Sequence, residues 1–128
     1  MNICIFSTVF FPSIGGQEIS TQIIANEFIQ LGHNVEVVTD IITSDNLDNF
    51  SFKVLRAKSI IDKYKSFKRA DIILLRNFTV KEVAIAIMSG KKIIISHHIT
   101  YLHNSSYLSR FLQFLKKKLS RFFINIPN

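Results

Sequence analysis

Gly15 and Gly16 sit in the stretch Phe10-Phe11-Pro12-Ser13-Ile14-Gly15-Gly16-Gln17-Glu18, which joins the first apolar run to the first helical pattern. A glycine pair there lets the backbone turn tightly or approach something closely, and a helix N-terminus behind it offers free N–H groups to an anion. Two readings stay open at this point: a tight loop without a ligand, or a backbone-lined cradle for a phosphate or a sugar hydroxyl. The G-x-G-x-x-G dinucleotide fingerprint is absent, and no Gly-Lys-Ser/Thr follows to make a Walker A loop. Glu18 and Ser20 are candidates to cap the helix start, where an acid is favourable without any catalytic role.

A second set of chemistry-bearing residues closes apolar runs: Asp40, Arg76 with Asn77, and His97 with His98. A histidine at a strand end is a reasonable hydrogen-bond donor or acid/base. Adjacent histidines point to opposite faces of a strand, which argues against a two-His metal grip. His103 follows six residues after His97, which leaves a metal cluster as the lesser alternative, but no metal site and no cofactor are expected. His33 reads as a surface residue at a helix end. The spacing supports no Ser-His-Asp triad and no carboxylate pair.

The elements that must position these groups follow from periodicity. Asn2–Ser7 is a continuous β-prone run, as expected of a strand covered on both faces. Ile19, Ile23, Ile24, Phe28 and Leu31 are spaced by three and four, which predicts a helix over Ile19–Leu31 with that stripe facing a sheet. Gly32-His33-Asn34 closes it, and Val35–Thr39 follows as a second strand. Residues 41–51 are rich in turn formers and read as a loop. Phe52–Ala57 reads as a short strand at or near an edge, Ile60–Arg69 as a weak basic helix and Asp71–Arg76 as a buried strand. Val80–Met88 reads as a helix ended by Ser89-Gly90, and Lys91–Ser96 as another buried strand. A final helix is expected over about Ser106–Ile124. Alternating β and α elements with strands apolar throughout predict an α/β fold: a Rossmann-like, doubly wound, mainly parallel sheet with helices on both faces. Its strand ends should bring Ser7–Gly16, Asp40, Arg76-Asn77 and His97-His98 to one rim.

Composition sets the bounds. With 128 residues, 48% apolar and 20% charged, and only six Gly and Pro together, the chain is expected to be one ordered domain rather than disordered. The single cysteine, Cys4, lies in the first strand pattern and reads as a core residue in a reducing compartment. No convincing signal peptide and no run long enough to span a bilayer is present, so a cytoplasmic location is expected. Residues 1–52 sum to −6, whereas residues 53–128 sum to +13 and carry all 16 basic residues. Such asymmetry suggests that one side meets something anionic. On the last helix, Leu108, Phe111, Leu112, Leu115, Leu119 and Phe122 alternate with Arg110, Lys116, Lys117, Lys118 and Arg121. That pattern is either a packed helix with a solvated basic face or one docked on an anionic membrane surface at its inner face. Nucleic acid is not expected as a partner, because helix-turn-helix, RNP-like and zinc-finger patterns are absent.

Taken together, "FFPSIGGQE", "LGHNVEVVTD", "DIILL" and "KIIISHH" resemble, in that order, the N-terminal domain of family 4 glycosyltransferases of the GT-B fold. Those domains begin with a strand, an aromatic-Pro-x-x-Gly-Gly-x-Glu loop, a helix, and Gly-His-x-Val-x-Val-Val-Thr. The resemblance implies a single GT-B half in a sugar transferase that moves a glycosyl unit from a nucleotide-sugar to a glycan or lipid-linked acceptor, with the acceptor held mostly by this domain. It places Gly15 and Gly16 near the donor phosphates and His97 (or, one residue on, His98) at the reaction centre; Glu18 beside the glycine pair and the strand-end residues Arg76 and Asn77 complete the expected substrate-binding set. It also favours membrane contact through Arg110, Lys116, Lys117, Lys118 and Arg121.

The family's donor-binding second domain has no counterpart before Asn128, and Phe123–Asn128 falls where many relatives enter one more strand. The expectation is therefore residues 1–128 as an incomplete N-terminal domain, inactive alone. It would be a truncated gene product, a laboratory-made fragment, or a subunit whose partner chain supplies the donor domain. The readings set against it are a non-catalytic acceptor-binding or membrane-docking subunit of a split transferase, and an unrelated nucleotide-binding Rossmann-like domain.

Overall fold

The computed structural model describes residues 1–43 and 49–96, and the backbone of residues 123–124. Its elements are β1 (Asn2–Ser7), α1 (Gly16–Gln30), β2 (Asn34–Thr39), β3 (Lys53–Arg56), α2 (Ile60–Arg69), β4 (Ile72–Arg76), α3 (Val80–Ser89), β5 (Lys92–Ser96) and β6 (Phe123–Ile124). All strand pairs are parallel, and the sheet order is β3-β2-β1-β4-β5-β6. This is the order of Rossmann-like α/β domains, in which the chain changes direction across the sheet between β1 and β4.

Strand after strand is apolar on both faces because both faces are covered. On one side α1 packs through Ala25, Ile24, Phe28 and Ile29 against Ile3, Ile5, Val35, Val37 and Leu74. On the other, Phe67 of α2 and Val83, Ile85 and Ala86 of α3 cover Cys4, Phe6, Val38, Ile73, Leu75 and Ile93. The edge position expected for the third strand is observed.

Two expectations change. The residues of α1 that reach full burial are Glu18, Thr21 and Ala25, whereas Ile19, Ile23 and Leu31 are exposed. The buried face is thus rotated from the stripe of large apolar residues, since small Thr21 and Ala25 let the helix lie close to the sheet. In addition, Phe123 and Ile124 pair with β5 as strand rather than continuing a helix, in keeping with the extra strand that the resemblance implies. The rest of the expected last helix lies outside the described residues. Among the described residues, no helix is long and apolar enough to cross a membrane.

Helix ends are fixed locally. Gly32 takes φ 81° after α1, with Gly32 N–H donating to Ile29 O and His33 N–H to Phe28 O, a Schellman closure. Thr79 and Glu82 form a capping box at the start of α3, and Gly90 ends it at φ 69°.

Candidate functional site

Parallel register brings the last residues of five strands into one row: Arg56, Thr39, Ser7, Arg76 and Ser96. Each strand therefore changes from apolar to polar at the same level, at the carboxyl rim where α/β sheets of this kind take ligands. The segments after β1 and β4 flank the point where the chain changes direction, and they are tied together. Thr8 donates to Asn77 O through both its N–H, at 3.1 Å, and its hydroxyl. Asn77 has φ 42°, a left-handed conformation that asparagine tolerates better than most residues.

The loop from β1 to α1 is anchored at its start. Phe10 is fully buried in the α1-side core, with rings of Phe11, Phe50 and Phe52 around it at centroid distances of 5.2, 5.3 and 6.3 Å. Arg56 Nη1 donates to Phe11 O at 2.9 Å and to Ile41 O at 3.1 Å, joining the loop to the segment after β2. Beyond this anchor, Pro12, Ser13 and Ile14 are exposed. Gly15 is the N-cap of α1 in extended backbone, φ −150°, and has no side-chain cap.

Neither glycine of the pair has a positive φ, so the tight-turn reading of Gly15-Gly16 does not explain them. A Cβ on Gly15 would come 2.8 Å from Glu18 Oε2, the far end of a side chain, and a Cβ on Gly16 would meet nothing within 4 Å. The capping expectation also changes. Glu18 lies buried within the first turn beside Gly15, and the Ser20 hydroxyl donates to Gln17 O at 3.1 Å rather than capping a backbone N–H. Ser20 Oγ in turn accepts from Arg76 Nη2 at 2.7 Å, linking α1 to the end of β4.

Asp40, another rim candidate, is engaged within the protein. It binds Lys63 Nζ at 2.6 Å, and Lys63 also reaches Glu82 Oε1 at 2.8 Å and lies 4.9 Å from the Phe6 ring centroid. Burial opposes charge on both partners of the inner pair, but their mutual attraction and hydrogen bonds prevail. Lys63 is held above its ordinary value by Asp40 and Glu82, and Glu82 below its own by Lys63 and Thr79. In the sequence Lys63 reads only as part of a weak basic helix, and Arg56 and Glu82 do not stand out. A signal for Glu82 was present in the Thr79-x-x-Glu82 spacing.

Of the expected site residues, the structure brings Gly15, Gly16, Glu18, Arg76 and Asn77 to one rim. His97, His98, Arg110, Lys116, Lys117, Lys118 and Arg121 lie outside the described residues. A recess of about 450 Å³ lies elsewhere, at the amino rim, lined in part by Asn2, Asn34, Glu36, Lys53 and Arg69. Its charges pair with each other, Lys53 with Glu36 at 2.8 Å and Arg69 with Glu36 at 3.3 Å. It lies away from the row of polar strand ends.

No protein-family model and no curated protein matches the chain. Solved structures similar to it include two of an alpha-glucosyltransferase in complex with UDP and a 13-mer DNA. The one whose DNA contains a HMU base is 21% identical with a TM-score of 0.46, covering 87% of this chain and 31% of its own. The one whose DNA has a central A:G mismatch is 19% identical with a TM-score of 0.47, covering 98% and 37%. The chain thus spans about a third of the length of these glucosyltransferases. The exclusion of nucleic acid does not stand, since both of these structures hold DNA. It rested on missing recognition motifs, and cationic surfaces bind the phosphate backbone without any of them.

Proposed function

We propose that this domain is one half of a GT-B-type glycosyltransferase and that the rim between β1 and β4 forms one wall of its nucleotide-sugar cleft. The observation that carries the reading is Gly16. Its backbone does not need glycine, and open space lies where its side chain would be. Alanine is the better helix former, so the start of α1 does not call for glycine at this position. A glycine there with no reason internal to the fold points to a ligand that approaches the backbone closely. The motif around it, aromatic-Pro-x-x-Gly-Gly-x-Glu, is the one through which the chain resembles family 4 glycosyltransferases, and a sugar-nucleotide phosphate suits free N–H groups at a helix start.

The test reads binding rather than turnover, since the chain spans only part of the length of those enzymes. Amide chemical shifts of the ¹⁵N-labelled chain are followed during titration with UDP-glucose and with other nucleotide-sugars. The expected result is perturbation centred on Gly15–Gln17 and residues 76–77. In Gly16→Ala the melting temperature is expected to be unchanged or raised while the affinity falls severalfold. Perturbation confined to other regions, or an affinity indifferent to Gly16→Ala, overturns the reading.

A further inference from the structure

Arg76 ends β4 with its side chain inside the protein, 2% exposed. Its Nη2 donates to Ser20 Oγ at 2.7 Å, but Nη1, also buried, has no hydrogen-bond partner. No carboxylate forms an ion pair with it among the described residues. Burial accordingly pushes the guanidinium below its ordinary value. A guanidinium does not relieve such a position by losing its proton, and an unpaired buried charge is strongly destabilising. Lys63 shows what a compensated cation looks like in the same fold, with carboxylates at 2.6 and 2.8 Å.

The surroundings of Arg76 supply the rest of a receptor. Ser20 lies four residues beyond Gly16, hence on the same face of α1. That face begins at a helix N-terminus without a side-chain cap and with open space over Gly16. Glu18, the acid of the first turn, keeps its carboxylate beside Gly15. We propose that Arg76 is the charged receptor of an oxyanion subsite on the Gly16–Ser20 face of α1, and that it takes a phosphoryl group. The subsite deepens the nucleotide-sugar reading and rests on it only for what carries the phosphoryl group; the demand for an anion comes from the unpaired Nη1. Arginine suits the task because its planar fork can keep Ser20 on one nitrogen and give the other to a phosphate oxygen.

The experiment compares the wild-type chain with Arg76→Met and Arg76→Lys by thermal melting and by NMR titration with inorganic phosphate, pyrophosphate, UDP and uridine. Without ligand, Arg76→Met is expected to melt at or above the wild-type temperature, because it removes a charge that has no partner. Phosphate-bearing ligands should raise the wild-type melting temperature and shift residues 16–20. Their affinity should fall at least tenfold in Arg76→Met and severalfold in Arg76→Lys, with uridine the same for all three proteins. Arg76-dependent binding of inorganic phosphate or pyrophosphate assigns a free phosphoryl group; dependence seen with UDP alone assigns a nucleoside diphosphate. Both outcomes support the subsite. Affinities within twofold in wild type and either variant overturn it, as does failure of the wild-type chain to bind any of the phosphate-bearing ligands. Nucleotide-sugar binding that survives Arg76→Met removes the subsite and leaves the proposed function standing. Arg76-dependent phosphate binding with no response to any nucleotide-sugar does the reverse.

Discussion

Lys63 places its ammonium between Asp40 and Glu82, and Glu82 uses its second oxygen to receive both the N–H and the hydroxyl of Thr79. One carboxylate therefore caps α3 and fastens it to α2, and the ion group holds the end of β2 as well. With side-chain exposures of 10% for Lys63 and 5% for Glu82, removing one partner leaves the other charge buried. Lys63→Met is expected to cost about 3 kcal/mol, a fall of roughly 10 °C in melting temperature for a domain of this size. Lys63→Met combined with Glu82→Met should be less destabilised than the sum of the single changes, and a double-mutant cycle in urea checks this. A loss within 1 kcal/mol for Lys63→Met would mean that water reaches the pair. Cys4 makes a second residue-scale case. Burial, with Glu36 adding to it, pushes its thiol far above the ordinary value, so the nucleophilic thiolate is scarce in the native state. Thiol reagents at neutral pH should label it only at the rate of unfolding, and rapid labelling of the native chain by Ellman's reagent would contradict the burial.

The two left-handed glycines close helices, and an added Cβ at either meets nothing within 4 Å, so the strain of a substitution there is of the backbone alone. Gly32→Ala and Gly90→Ala should each cost about 1 kcal/mol, and Gly90→Asn less than Gly90→Ala. Chemical denaturation separates these from Gly16→Ala, for which no loss is expected. The strands were legible in the sequence because two-sided burial leaves a continuous apolar run, and Asn2–Ser7 and Ile60–Arg69 begin and end where periodicity puts them. The face of α1 was not legible. Large apolar residues define a stripe on paper, but what decides the contact is how closely the helix can approach, and Thr21 and Ala25 permit that approach. The rim could be read from where apolar runs stop. The partners across it could not: Arg76 with Ser20, Lys63 with Asp40 and Glu82, and Arg56 with Phe11 and Ile41 depend on register and crossovers that no local pattern carries.

Over the whole molecule, the charge imbalance along the chain is partly undone by folding. Because β3 pairs with β2, and α2 crosses over β2 and β1 to reach β4, bases of the second half meet acids of the first: Lys53 and Arg69 reach Glu36, and Lys63 reaches Asp40. These pairs, together with the buried Cys4 thiol, shape the pH range of stability. Burial alone would raise Glu36 and Glu82, but their hydrogen bonds and cations outweigh it and hold both below the usual 4.5. Around that pH the folded chain binds fewer protons than the unfolded chain. Their contribution is therefore present above 4.5 and lost as pH falls through the depressed values. Lys63 is held above the usual 10.5, so its contribution is complete below 10.5 and disappears as pH rises through the folded-state value. Cys4 opens the alkaline side earlier, because its buried thiol holds its proton above the usual 9.0 while the unfolded chain releases it, so melting temperature should form a plateau between about pH 5.5 and pH 8 and fall on either side. Lys63→Met tests which groups make the limbs. Its alkaline limb should shrink, since the raised ammonium is gone. Its deficit against wild type should narrow below pH 4.5, because a buried Glu82 without its cation is relieved by taking up a proton. Parallel pH profiles for the two proteins would instead place the titrating groups outside the Asp40–Lys63–Glu82 group.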